Sequence, residues 1–461
     1  MHSILKRSGN LRVLVLTLCF LAPAVGARGN DDGAGMLMRV LLDISSRHPA
    51  VRGRAEELAS KLSRADYASY FYPDPKLGLV YSNLPSGRFV YDRTPMTGIE
   101  LQLRQPVPFP GRLSLRARIA DDEAESARLA LARTKNVLAR DYLLAEIDID
   151  RLTRLVRLTE NYGRQMRIIS ETARTGYAVG RGTLSDLTRA NLARSRYQVK
   201  GEEYAGRLDG MRERRAYFFT EGDDSKSAAS ATKASEVTPP EPSPRIPRAE
   251  LRAWIAKITR WTANSAGQLE AMSLELAVAR IAERSGERKA SLARYDYLPD
   301  FELFAAYRQR DEVQGDPVSG EDFASVGLSI RLPLWSALNN HRQVRAAKQE
   351  RTARAHALQN MRGRLMALDA EHDARLRSLA ERIKTYRVRL IPQARRAVTS
   401  SRLAYGTGGV DFDTLLDSRD TLYNLKAEAI ELETARDRLV VKRAALYNLV
   451  LSERETEEND E

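Results

Sequence analysis

The chain has 461 residues, 29% of them charged, and a formal net charge of +13 in which arginine dominates. The length gives room for two or three ordinary domains. No segment approaches the 18 apolar residues of a transmembrane helix, which leaves open a membrane β-barrel, whose strands signal weakly. A basic excess suits nucleic acid or anionic lipid, but acidic residues interleave with the arginines, the pattern of solvated faces on long helices.

In chain order, Lys6, Arg7 and Arg12 precede the apolar run Val13 to Leu21, and Ala24, Gly26 and Ala27 offer small residues for cleavage. This predicts a secretory signal over 1–27. The only cysteine, Cys19, lies in that run behind Leu18 rather than a small residue, so it is read as removed with the signal and not as a lipid attachment site. Met36 to Ala68 reads as a helix with a soft boundary or kink at His48-Pro49. Leu77, Leu79 and Tyr81 then alternate with Gly78, Val80 and Ser82 as a first strand. Ile99, Leu101 and Leu103 alternate with Glu100, Gln102 and Arg104 as a second. Pro106, Pro108 and Pro110 are expected to stop it, since proline cannot donate to a ladder. Leu113 to about Arg174 is a helix of about 90 Å at 1.5 Å per residue, with a seam at Leu138, Tyr142, Ala145, Ile149, Leu152 and Val156. The glycine turn Thr175 to Gly182 ends it, and Leu184 to Phe218 returns as the second arm of a helical hairpin.

Residues 221–248 are rich in Ser, Ala, Thr, Lys and Pro and read as a low-complexity insertion. Helical spacing resumes from Ala249 to about Ala293, with Trp254 and Trp261 on one face. The plan then repeats. Phe301, Leu303, Ala305 and Tyr307 mark a third strand, and Val326, Leu328, Ile330 and Leu332 a fourth, ended by Pro333. A helix from Ala337 to Arg402 carries the seam Leu365, Leu368, His372, Leu376, Leu379, Ile383, Tyr386 and Leu390, with a kink expected at Pro392. Tyr405 to Asp411 is a second glycine turn, Phe412 to Leu451 its return helix, and 453–461 an acidic, frayed tail. The halves superpose: Pro75 on Pro299, Pro106 on Pro333, Tyr177 on Tyr405, Gly180 on Gly408 and Leu184 on Phe412, with offsets of 224 to 228. The spacing predicts an internal two-fold repeat, 28–220 and 249–452.

Four strands of membrane-crossing length cannot close a barrel, and an open sheet cannot sit in lipid with unpaired edges. A membrane barrel must therefore be shared between chains: two would give eight strands and a filled interior, three would give twelve and a lumen. The alternation puts an apolar stripe outward and Glu100, Gln102, Arg104, Ser329 and Arg331 inward. The plainer alternative is two soluble hairpins with one wet face. No catalytic constellation stands out. The five histidines (His2, His48, His341, His356, His372) are scattered and without metal-ligand spacing. Gly176, Gly180 and Gly182 are spaced somewhat like a phosphate loop, but no strand precedes them. The protein is therefore expected not to be an enzyme and to hold no cofactor.

Several stretches together resemble the outer-membrane efflux protein family, the TolC-like channels. They are His48-Pro49-Ala50-Val51, QPVPFPGRLSLR at 105–116, RTGYAVGRGTLSDLTRA at 174–190, LPDFELFAAY at 298–307 and YGTGGVDFDTLLDSRDTLYNLK at 405–426. Pro108-Phe109-Pro110-Gly111-Arg112 is most like the heavy-metal efflux branch. The resemblance covers nearly all of the mature chain and departs from the family at the 221–247 insertion. It implies a mainly α protein with a small β part, assembled as a homotrimer in the outer membrane. A twelve-stranded β-barrel would continue into a coiled-coil α-helical barrel in the periplasm. The duct would be passive, docked to a periplasmic adaptor and an inner-membrane pump of the resistance-nodulation-division type, with metal cations as one candidate cargo.

The adaptor is expected to meet the two tips, at Gly176, Tyr177, Gly180, Gly182, Tyr405, Gly406, Gly408 and Gly409, where glycine permits φ > 0 and close approach. The family's acidic gate ring, aligned on Thr421 to Asn424, falls on Asp417 and Thr414, with Asp413 beside it as a substitute; the alternative is that Asp413 and Asp417 are ordinary solvated helix residues. Two other classes compete with the duct. A soluble periplasmic coiled-coil scaffold or adaptor would lack an outward apolar stripe. A nucleic-acid-binding helical protein is opposed by the export signal and by the mixing of acids with arginines.

Overall fold

The computed structural model describes residues 35–70, 72–83, 96–180, 182–220, 246–265, 267–313, 320–334, 337–407 and 409–450. The predicted signal, residues 221–245 of the insertion, the acidic tail and Gly408 lie outside the described residues.

The first half begins with helices α1 (Met36–Arg47) and α2 (Pro49–Tyr70). They are separate because His48 precedes a proline and is held extended, at φ −61° and ψ 134°. Strands β1 (Lys76–Ser82) and β2 (Gly98–Val107) follow, then α3 (Arg112–Ala178) and its antiparallel partner α4 (Leu184–Ala216). The continuous helix expected over 249–293 is instead three pieces, α5 (Arg248–Asn264), α6 (Leu269–Met272) and α7 (Leu274–Arg294). Gly267, at φ +85°, and an extended Ser273 break it. The second half then restates the first, with β3 (Asp300–Arg310), β4 (Phe323–Arg331), α8 (Ala337–Thr385), α9 (Ile391–Gly406) and α10 (Phe412–Leu446).

Between α8 and α9 the helix swells into a single π-helical stretch, Tyr386–Leu390. Pro392 has no N–H to give to the carbonyl of Val388, and the wider turn absorbs the misfit without ending the helix.

The four strands form one antiparallel sheet in the order β1-β2-β3-β4. The β2 ladder runs past the expected stop, pairing Pro106 with Glu302 and Val107 with Phe301. It can do so because β1 reaches only to Lys76, opposite Arg104. Beyond that point β2 is an edge on that side, where a missing N–H is tolerated.

The main core lies where α1, α5 and α10 pack on the middle of α3 and α8 packs on α10, around the fully buried Tyr142, Leu143, Ile258, Val441 and Tyr447. A second cluster, Tyr162, Met166, Tyr197, Ala394, Leu422 and Tyr423, joins the two hairpins nearer their tips. The α3 seam holds at Leu138, Tyr142, Ala145 and Leu152, while Ile149 and Val156 are half-buried; on α8, Leu365, His372 and Ile383 are buried. Arginines tie helix to helix through these layers. Arg215 meets the buried Glu146 at 3.0 Å, Arg154 meets Glu433 at 2.5 Å, and Arg284 and Arg288 each reach the buried Asp122 at 2.8 Å. Many of the arginines thus serve interhelical pairing.

Candidate functional site

The register sorts the sheet into two faces. On one, Leu77 stands opposite Leu103, Leu79 opposite Leu101 and Tyr81 opposite Ile99. The same face continues through Tyr307, Leu303, Val326, Leu328 and Ile330. These side chains are open to the surroundings: Leu77, Leu79 and Val326 are 71%, 74% and 86% exposed. So wide a contiguous apolar surface is not left in water without a covering medium or partner.

The opposite face carries Lys76, Glu100, Gln102, Arg104, Asp300, Glu302, Arg308, Arg310, Ser325, Ser329 and Arg331. It is concave, with a furrow of about 560 Å³ lined by Glu100, Gln102, Arg104, Glu302 and Arg308 among others. Along β3 the even-numbered residues are more covered than the odd-numbered ones, as curvature toward the polar side requires. Arg308 donates to Glu100 at 2.5 Å, and Arg104 lies 3.7 Å from Glu302.

At the helical end of the sheet a polar clamp fixes strand to helix. Gly111 takes φ +89°, and a Cβ there would lie 2.6 Å from the Tyr295 hydroxyl oxygen, so the turn needs glycine. It delivers Arg112, whose guanidinium donates to Asp300 at 2.8 and 3.1 Å and to Asp296 at 2.6 Å. Asn340 at the start of α8 donates to the Asp296 carbonyl at 2.6 Å. One clamp therefore ties the entry of α3, the foot of β3 and the entry of α8.

At the far end of the hairpins the two tips are exposed. Tyr177, Val179 and Leu184 are 46%, 62% and 58% exposed, and Leu403 is 64%. Among the described tip glycines only Gly180 has a positive φ, +72°. A Cβ on Gly182 would touch the backbone of Gly176 and Tyr177 at 3.4 Å, so its value is close packing, while Gly176, in the last turn of α3, and Gly406, the last residue of α9, are in ordinary helical conformation. Gly409 donates to the Ala404 carbonyl at 2.8 Å. Thr183 and Asp186 form a reciprocal capping box at 3.1 Å, and Asp411 caps α10. Tyr405 is half-buried against Phe412, centroids 5.6 Å apart.

The three aligned gate positions have different surroundings. Asp413 is ion-paired to Arg189 of α4, bridging the two tips within one chain. Thr414 donates its hydroxyl to Asp411 at 2.5 Å. Asp417 is exposed one turn further along α10. Arg419, two residues after Asp417 on α10, donates to Gln165 of α3 at 3.0 Å; burial and then Arg402 hold its guanidinium below its usual range. Among the described residues no group of three metal-ligating side chains comes together, and no helix is long and apolar enough to cross a membrane.

Sequence reasoning missed Lys76, although counting back one position from Leu77 puts it on the polar face. It also missed the Arg112 clamp and the Arg189–Asp413 bridge, which join residues far apart in the chain.

No family model and no curated protein matches the chain. Solved structures do. The outer-membrane channel OprN aligns over 90% of this chain and 89% of its own, with TM-score 0.69 at 15% identity. VceC, an outer membrane protein of Vibrio cholerae, aligns over 90% and 95% with TM-score 0.68 at 15% identity. CusC, described for transmembrane channel formation, aligns over 90% and 91% with TM-score 0.68 at 12% identity. The chain therefore has the fold of these outer-membrane channels.

Proposed function

We propose that this chain is one third of an outer-membrane efflux duct. The observation that carries the reading is the sheet: four strands, two open edges, an exposed apolar face and a concave polar face, set on two long helical hairpins. Closing three copies edge to edge gives twelve strands with the apolar face in lipid and the polar face around a lumen. The helical hairpins would continue that lumen into the periplasm. The resemblance to the TolC-like family and the shared fold support the same arrangement.

In this reading the tips meet a periplasmic adaptor that couples the duct to an inner-membrane pump of the resistance-nodulation-division type. The predicted signal exports the chain, and Asp417, the exposed acid among the three gate positions, lines the resting constriction, with Asp413 and Thr414 fixing the tip beside it. The duct is passive and performs no catalysis. Metal cations as cargo rest on the Pro108-to-Arg112 phrase alone; CusC matches no better than OprN or VceC, so the branch is not distinguished. A soluble scaffold is disfavoured by the exposed apolar stripe. The test is reconstitution of the purified protein into planar bilayers. Stepwise channels of uniform size are expected, and their absence from folded protein would return the chain to the scaffold reading.

A further inference from the structure

The charged side chains of the concave face are unevenly balanced. Lys76, Arg104, Arg308, Arg310 and Arg331 share it with Glu100, Asp300 and Glu302. The acids are already engaged. Glu100 accepts from Arg308 at 2.5 Å, and Asp300 accepts from Arg112 at 2.8 Å. Glu302 stands 3.7 Å from Arg104. Arg331 is registered against Asp300, the carboxylate that Arg112 has neutralised. Lys76 is registered directly against Arg104. Like charges directly opposed across two strands are destabilising, so the sheet holds this pair at a cost to itself. Lys76 and Arg331 are exposed and make no ion pair among the described residues.

These two cations and Arg104, which shares Glu302 but faces Lys76, lie at the same end. β1 begins at Lys76 and β4 ends at Arg331, both at the end of the sheet that joins the helices. They are also on the two open outer strands. β4 runs antiparallel to β1, so when copies close edge to edge, Arg331 of one comes beside Lys76 of the next, with Arg104 one strand further in.

We propose that Lys76, Arg104 and Arg331 form a basic collar where the helical duct opens into the sheet, and that the collar favours anionic solutes, those bearing carboxylate, phosphate or sulfonate groups. The proposal rests on the duct reading above and names its cargo class. Rings of basic side chains select anions, and a low-dielectric wall focuses their field on the lumen. A metal cation would cross this collar against its field, so the anionic class replaces the metal class as the expected cargo.

The experiment measures the chloride-to-potassium permeability ratio in planar bilayers under a salt gradient. Wild type, Lys76→Gln/Arg331→Gln, Lys76→Glu/Arg331→Glu and the charge-keeping Lys76→Arg/Arg331→Lys are compared, each first checked for trimer mass and unitary conductance. The ratio is expected to fall by at least about threefold in the glutamine variant, further in the glutamate variant, and not in the charge-keeping one. The effect should shrink near 1 M salt, where the Debye length is about 3 Å. The same series in an Asp417→Asn background should give the same shift, because the proposed gate acid lies at the other end of the duct. Conducting trimers with one unchanged ratio throughout would overturn the collar and leave the duct standing. Wild-type protein that forms no channel would overturn the duct and the collar with it. If the glutamate variant does not assemble, the glutamine variant decides.

Discussion

Replacing Glu433 with glutamine tests whether arginine pairing between hairpins holds this fold. Glu433 lies on α10 with its side chain only 5% exposed. Its carboxylate accepts from Arg154 of α3 at 2.5 Å and from Arg387 in the π-helical stretch, so one acid links three parts of the bundle. Glutamine keeps the shape and removes the charge. Arg154, 17% exposed, is left with Asp150 at 3.9 Å. Removing one partner of a buried pair costs about 3–5 kcal/mol. Arg387 is 56% exposed, and an exposed pair adds at most about 1 kcal/mol. With Asp150 still near Arg154, about 3 kcal/mol is expected. Urea unfolding in detergent at pH 7 should show the midpoint shifted down accordingly. Burial works against ionisation of Glu433, but the bonds and charges of Arg154 and Arg387 outweigh it and hold the carboxyl below its ordinary value. A depressed acid contributes stability above its unfolded pKa, about 4.3, and loses it as pH falls through the folded value. The gap between wild type and variant should therefore be full at pH 7 and close below about pH 4. Equal midpoints at pH 7, or a gap constant down to pH 3, would refute the reasoning.

Gly111→Ala should destabilise by roughly 1–3 kcal/mol through the positive φ and the contact with Tyr295, and Tyr295→Phe should recover part of the loss in the same denaturation assay. Val326→Arg on the outward face should cost about 2–4 kcal/mol if that face lies in lipid and reduce recovery from the outer-membrane fraction; a protein with a wet outer face would be unaffected. Asp417→Asn should lower cation selectivity and weaken block by divalent cations in bilayer recordings, and unchanged selectivity and block would remove Asp417 from the gate. Cysteines placed at the exposed Val179 or Thr407 should cross-link to a periplasmic adaptor, whereas labelling of them from outside intact cells would reverse the topology.

The sheet was legible because alternation over Leu77 to Ser82 and Ile99 to Arg104 fixes both the strand and its faces. The hairpin tips were legible because glycine clusters interrupt two otherwise unbroken helical patterns at matching offsets. The break in 249–293 was not, since the apolar period continues across Gly267 and Ser273 and a single glycine is only a weak stop. The course of β2 through Pro106 depends on how far β1 extends, which belongs to the pairing and not to β2 itself. Asp413 was legible as an acid beside the aligned gate positions, but its pairing with Arg189 depends on how the two tips meet in space. The clamp of Arg112 on Asp296 and Asp300 likewise joins positions 184 and 188 residues apart.

The shared barrel is tested most directly by native mass spectrometry of the protein extracted in detergent from the outer-membrane fraction. Four strands leave two open edges on every chain, so the expected result is a monodisperse assembly of three chains that persists on dilution. A monodisperse monomer with native β-sheet content would contradict it.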